Sequence, residues 1–287
     1  MSTVTAAAFA AWRGELALDF ERRADRTVLA RRHHNGPLLV QKPLYPEGDA
    51  VCHAIILHPP AGIAGGDALD LQVRCAAGAH ALLTTPGATR WYRSTGASAS
   101  QVVSIQVEPG GCLEWFPQEN IVFSGALASS ALRVHLGVGA SFIGWDILCL
   151  GRRGSGERFD RGVWRVDNRL YAADRLCWIE AGRVDGGGSA LAARPVLAGA
   201  TVSGTFMAFA PHLDEALLRA LRLRCQDVVT EHAGIAQLAI SLLPGLFIGR
   251  YLGDSAEQAR GFFTGLWQHA RPVLGGRDAR EPRIWKT

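Results

Sequence analysis

Lysine is almost missing from this 287-residue chain. Thirty side chains are Lys or Arg, and only Lys42 and Lys286 are lysines. Neither follows a glycine, so the phosphate loop Gly-x-x-x-x-Gly-Lys-[Ser/Thr] is absent and nucleotide hydrolysis by that route is excluded. The Gly-x-Ser-x-Gly elbow of the α/β-hydrolases is also missing, since Gly154-Ser155-Gly156 has the wrong spacing. Six cysteines occur, none in Cys-x-x-Cys spacing, which excludes a zinc ribbon and a thioredoxin-type pair. Several lie in apolar strand-like runs, as buried reduced thiols of a cytoplasmic protein do. No apolar run approaches the roughly 20 residues of a membrane helix. The small residues from Ala6 to Ala11 have no basic segment before them and are broken by Trp12-Arg13, unlike a signal peptide. The arginines are scattered rather than gathered on a stripe, which argues against nucleic acid as a partner.

What remains is a chain of 48% hydrophobic residues and net charge +4, ample for a core. Its dominant signal is short strand-like runs closed by Gly or Pro. Leu71–Cys75 precedes Ala-Ala-Gly78, Gln101–Val107 precedes Pro109-Gly-Gly111, and Leu132–Leu136 precedes Gly137-Val-Gly139. Such punctuation predicts a mainly β fold: a sandwich, a barrel or a stacked β-solenoid. No fixed-length repeat is visible. The pattern changes after Pro211. Leucines at 217, 218, 221 and 223, opened by Asp214-Glu215 and closed by arginines, predict a helix over 213–224. A second is predicted over 255–270, capped by Ser255 or Asp254. The length allows one large domain or two small ones.

The densest cluster of chemistry runs from Cys52 to Asp67. An apolar strand ends at Pro59-Pro60, and Gly62, Gly65 and Gly66 then lead to Asp67. Cys52, His53 and His58 are of metal-ligand type. Strand alternation, however, points Cys52 and His53 to opposite faces. Asp146, in Phe-Ile-Gly-Trp-Asp-Ile-Leu, and Glu114, in Leu-Glu-Trp-Phe, are carboxylates in apolar settings that need a partner or water if buried. A hydrolase using Asp146 or the Cys52/His53 pair stays open on these residues. The residues alone define no catalytic set.

Six segments, in order, resemble the urease accessory protein D family (UreD, called UreH in some organisms). They are Gly36-Pro-Leu-Leu-Val-Gln-Lys-Pro-Leu-Tyr-Pro-Glu47, His58-Pro-Pro-Ala-Gly-Ile-Ala-Gly-Gly-Asp67, Thr85-Pro-Gly-Ala-Thr-Arg-Trp-Tyr-Arg-Ser94, Leu113-Glu-Trp-Phe-Pro-Gln-Glu-Asn-Ile121, Trp145-Asp-Ile-Leu-Cys-Leu-Gly-Arg152 and Pro282-Arg-Ile-Trp285. The resemblance implies helically stacked, β-helix-like sheets with two α-helices toward the C-terminus, and a role that is not enzymatic. Implied partners are accessory protein F, the accessory GTPase G and the urease apoprotein, with a homodimer formed through the accessory complex. No tightly bound cofactor is implied. Nickel is cargo, passing an internal tunnel lined partly by acids, and a pure protein–protein scaffold is the alternative. By motif, the path falls to Asp67, Asp146 and Asp174, with His58 and Glu114 as additional candidates. Asp174 stands where relatives have Glu, and Ala68 where they often have Glu. Weak oxygen sites suit a conduit, because an ion must leave as well as enter.

Overall fold

The computed structural model describes residues 11–234 and 236–286, so the apolar run before Ala11 lies outside the described residues. The chain opens on a hairpin of β1 (Arg13–Arg23) and β2 (Arg26–Asn35), then β3 (Leu39–Val40) and β4 (Cys52–Leu57). It then winds in coils. The first holds β5 (Ala68–Cys75), β6 (His80–Thr84) and β7 (Thr89–Trp91). The second holds β8 (Ala99–Val107), β9 (Cys112–Phe116) and β10 (Asn120–Val122). The third holds β11 (Leu127–Leu136) and β12 (Ser141–Leu150). A hairpin of β13 (Val163–Ala172) and β14 (Arg175–Asp185) and the strand β15 (Val202–Phe209) follow. Then come α1 (Glu215–Arg224), α2 (Gln226–Glu231), the hairpin β16 (Gln237–Leu243) and β17 (Leu246–Gly253), and α3 (Ala256–Gly275).

Long strands build one sheet in the order β14-β13-β11-β8-β5-β1-β2. The other runs β16-β17-β15-β12-β9-β6-β4-β3, with β10 beside β12 and β7 beside β10. The coiled strands pair in parallel from β1 to β13 in the first sheet and from β4 to β12 in the second. This is the stacked, solenoid-like architecture expected. The turn that carries each coil from one sheet to the other recurs. A hydrogen bond closes Ala76 to Ala79, Glu108 to Gly111 and Gly137 to Ala140, and the third residue is each time a glycine with φ near +70°. That backbone region disfavours any side chain.

The two sheets explain two kinds of strand sequence. The seven-stranded sheet has one face on the core and one in solvent, so β5 alternates: Leu69, Leu71, Val73 and Cys75 are buried and the residues between face out. The other sheet is covered on both faces, so β4, β6 and β9 are nearly continuous apolar runs. Leu71, Val103 and Leu132 meet Leu83 and Trp115 between the sheets. On the far side Ile143, Trp145 and Ile147 meet Phe262, Phe263 and Trp267 of α3.

Helical content differs from expectation in one respect: the described residues hold three α-helices, not two. The backbone at Cys225 (ψ near 0°) ends α1, and a separate six-residue helix follows that is too short for periodicity to announce. Ser255, not Asp254, caps α3 by accepting from the Gln258 amide at 3.3 Å, while Asp254 accepts from Thr201. Helix α3 also runs past Pro272 to Gly275, where Gly276 in the left-handed conformation ends it.

Candidate functional site: a polar cavity between the sheets

The apolar layer between the sheets is interrupted by a cavity of about 70 Å³, several times the volume one water needs. Leu71, Val103 and Leu132 form part of its wall, but Gln101, Ser130 and Asn168 of the first sheet and Asn120 and Asp146 of the second give it polar groups. Strand alternation on β12 is the local cause. Trp145 points to the helices and donates to the Pro117 carbonyl at 2.9 Å, so Asp146 must point to the cavity.

Two amides are turned toward Asp146. Asn120 donates its Nδ2 to Asp146 Oδ1 at 2.9 Å, because its own oxygen is occupied by the Trp91 indole at 3.0 Å. Asn168 also hydrogen-bonds the carboxylate, its oxygen being taken by the Leu132 amide at 3.0 Å. Burial and the nearby Glu180 carboxylate nevertheless push the Asp146 carboxyl up to about 6, against those hydrogen bonds. The result is a carboxylate held in place but under-compensated, a group that gains from taking up a proton or a cation.

His58 lines the same cavity. Burial holds its imidazole below the ordinary value, with the charge of Asp67 opposing. Asp67 itself sits in the loop beside it, accepting from the Trp12 amide and the Ala64 amide, each at 2.8 Å. The loop is tightly built. Ala61 has φ +60°, strain that costs about 1 kcal/mol or more. A Cβ on Gly62 would come within 2.3 Å of the Tyr92 ring. The structure therefore brings Asp146 and His58 into one cavity, with Asp67 adjacent and both its oxygens engaged by backbone donors.

The other sequence candidates fall elsewhere. Asp174, with Ala173, forms the two-residue turn between β13 and β14. Both have positive φ, the I′ hairpin geometry, and Asp174 is exposed. It is a turn residue and does not reach the cavity. Glu114 alternates with cavity-lining Trp115 and so faces the helices. There it is fully buried and saturated by His80 at 2.7 Å, the Trp267 indole at 2.7 Å and Arg271 at 2.9 Å. Arg271 also binds Glu47 at 2.5 Å, and Glu47 binds His53 at 2.6 Å. Burial opposes charge here, but hydrogen bonds from His53 and Arg271 hold Glu47 at about 2. Cys112 and Glu114 likewise outweigh burial and lift His80 to about 10. Cys52 is buried on the opposite face from His53, and burial raises its thiol pKa despite a hydrogen bond with Tyr45. It is no paired nucleophile.

Sequence reasoning missed Asn120, Asn168, Glu180 and Arg250. Thr205 pairs with Asp146 across the sheet, and Asn168 with Glu180. Glu180 accepts from Thr205 at 3.1 Å and from Arg250. The four make the polar layer at the Asp146 side of the cavity. Glu180 was visible as the acid ending the run Leu176–Glu180, but a bulge in the pairing between Leu170 and Tyr171 obscures which face it takes.

The fold is a stacked β-solenoid with a helical layer, and its interior holds a buried carboxylate facing a polar cavity. The family model for UreD urease accessory protein matches residues 13–286. Urease accessory protein UreD of Azoarcus sp. (strain BH72) is 51% identical over 276 residues, covering 96% of this chain and 94% of the relative. That of Dechloromonas aromatica (strain RCB) is 50% identical over 279 residues, covering 96% and 95%. The chain belongs to the urease accessory protein D family, and its role lies in urease maturation. Among the described residues no helix is long and apolar enough to cross a membrane.

Proposed function

We propose that this chain works with accessory protein F and the GTPase G on the urease apoprotein, and that Ni²⁺ passes through the inter-sheet cavity on its way to the urease active site. The observation that carries this reading is Asp146, a buried carboxylate facing a cavity with room for water and under-compensated by its two amide donors. His58 offers an imidazole nitrogen in the same space, and Asp67 stands behind it. These are few and weak ligands for Ni²⁺, as a path requires. On this reading the chain is not an enzyme, binds nickel only as cargo, acts in the cytoplasm, where its six free thiols stay reduced, and becomes dimeric only through the accessory complex.

A second reading, a docking scaffold without metal contact, is favoured by one observation. Among the described residues no three His, Cys, Asp or Glu side chains are grouped to hold a metal ion. Co-expression with urease and the other accessory proteins separates the two. Asp146→Ala is expected to leave complex assembly intact and lower urease-bound nickel. Normal nickel content in that variant would assign the chain to the scaffold reading.

A further inference from the structure

Between α2, α3 and the C-terminal 3-10 turn at Arg283–Lys286 lies an open groove of about 550 Å³. Its walls carry the carboxylates of Asp227, Glu231, Glu257 and Glu281 and the cations Arg260 and Lys286. Arg260 touches the wall of the interior cavity. Its guanidinium donates to Gln118 Oε1, and Gln118 lines that cavity. The same guanidinium lies 3.5 Å from Glu119 Oε2. That oxygen is buried and has no hydrogen-bond partner, and the Arg260 charge stands beside it. A buried acceptor left unmade is costly, and each one asks for a reason. Groove and cavity are thus separated at this point by the Arg260 side chain and the Gln118 side chain it holds, with Glu119 beside them.

We propose that Arg260 is a displaceable plug between the groove and the cavity, and that a divalent cation binds Glu119 when the guanidinium swings out. The inference rests on reading the cavity as a path for Ni²⁺. With Arg260 in place, its positive charge repels an approaching cation and occupies the carboxylate the cation would use. The side chain has somewhere to go. It is 31% exposed on the groove side, and Glu257, one turn back on α3, is spaced to receive it. Gln118 would then be released, opening the wall it shares with the cavity.

The test uses the purified full chain with Ni²⁺ alone as probe and follows quenching of tryptophan fluorescence, Trp115 being in the cavity wall. Asp146→Asn defines the quenching phase that depends on the cavity. In that phase Arg260→Gln is expected to be about fivefold faster than wild type, the size of one partly exposed ion pair. Glu119→Gln is expected to be about fivefold slower, and the double variant to follow Glu119→Gln. Circular dichroism checks that each variant is folded. If Asp146 dependence is present but Arg260→Gln runs at the wild-type rate, the plug is wrong and the cavity path stands. If Asp146→Asn quenches as wild type does, the cavity path itself falls, and the plug with it. Should Arg260→Gln not fold, Glu119→Gln alone decides, since an unchanged rate there also overturns the proposal.

Discussion

The ten-stranded sheet has a buried polar group on each of its faces, and the two are built on opposite terms. On the helix side, Glu114 meets His80, Trp267 and Arg271, and Arg271 continues to Glu47 and His53. Every charge has a partner, and the network fastens α3 to β4, β6 and β9. On the other side, Asp146 has neutral donors alone, the Asn120 and Asn168 amides and the Ile147 backbone N–H, with a like charge nearby and space in front of it. Adjacent residues of one strand make the difference, Trp145 against Asp146 on β12 and Glu114 against Trp115 on β9. The same alternation that builds the layers assigns one face to holding the fold and the other to a group left wanting a cation.

The largest expected effect comes from breaking the saturated side. Glu114→Ala leaves Arg271 and His80 buried without their common acceptor, and removing one partner of a buried pair costs about 3–5 kcal/mol. Denaturant unfolding should show a loss of that size. A loss under about 1 kcal/mol would mean that the network is not the fastening described. Glu47 adds a pH signature. Its carboxyl is held at about 2 against an ordinary 4.5, so the stability it contributes is present above pH 4.5 and is lost as pH falls toward 2.

Asp146 should behave in the opposite sense. Its folded pKa of about 6 lies above the ordinary 3.8, so the folded state binds the proton more tightly than the unfolded chain does. Its contribution therefore worsens as pH rises from about 4 to about 6 and is fully unfavourable at pH 7, by about 3 kcal/mol. Asp146→Asn is expected to raise stability at pH 7 by up to that amount and to flatten the pH dependence between 4 and 6. A variant less stable than wild type at pH 7 would show that Asp146 is compensated after all. The pairing of a stabilising substitution with lost nickel delivery would mark the residue as kept for function at a cost to the fold.

Much of this layering was legible before any coordinates. The alternating run Glu15–Phe20 reads as a half-buried strand and the continuous run Ala54–Leu57 as a buried one, and both are so in the structure. The glycines at 78, 110 and 139 already marked the coil turns. The three-residue strands β7 and β10 and the six-residue helix α2 were not legible, because each is held by neighbours distant in sequence rather than by its own pattern. In the site, Asp146 stood out as a carboxylate in an apolar run, and His58 only as a residue of metal-ligand type. Asn120, Asn168 and Glu180 did not, since an amide or acid in a strand looks the same whether it faces solvent or a cavity. Their roles depend on register between β10, β12, β13 and β14, which no local spacing encodes.

Glu180 offers a way to sharpen the contrast with a smaller effect. It is the like charge beside Asp146, and its own partner Arg250 is partly exposed. Glu180→Gln is expected to cost about 1 kcal/mol through the lost ion pair and to shift the Asp146 pH window downward by removing that repulsion. Stability measured from pH 4 to 7 reads both at once. An unshifted window would mean that burial alone sets the Asp146 carboxyl and that the two acids are uncoupled.

The smallest effect belongs to the third acid, and it is diagnostic for that reason. The resemblance assigns Asp174 to the path, with Asp in place of Glu, but the residue lies on the β13–β14 turn, exposed, with φ +60°. An I′ turn favours glycine at this second position. Asp174→Gly should therefore leave stability unchanged or raise it by about 0.3 kcal/mol, with urease-bound nickel at the wild-type level. Asp146→Asn and Asp174→Gly each remove one carboxylate, so net charge cannot explain a difference between them. If both lower nickel delivery alike, what matters is the total negative charge of the chain and not the enclosed position of Asp146. If only Asp146→Asn does, position between the sheets is what makes a carboxylate part of the path.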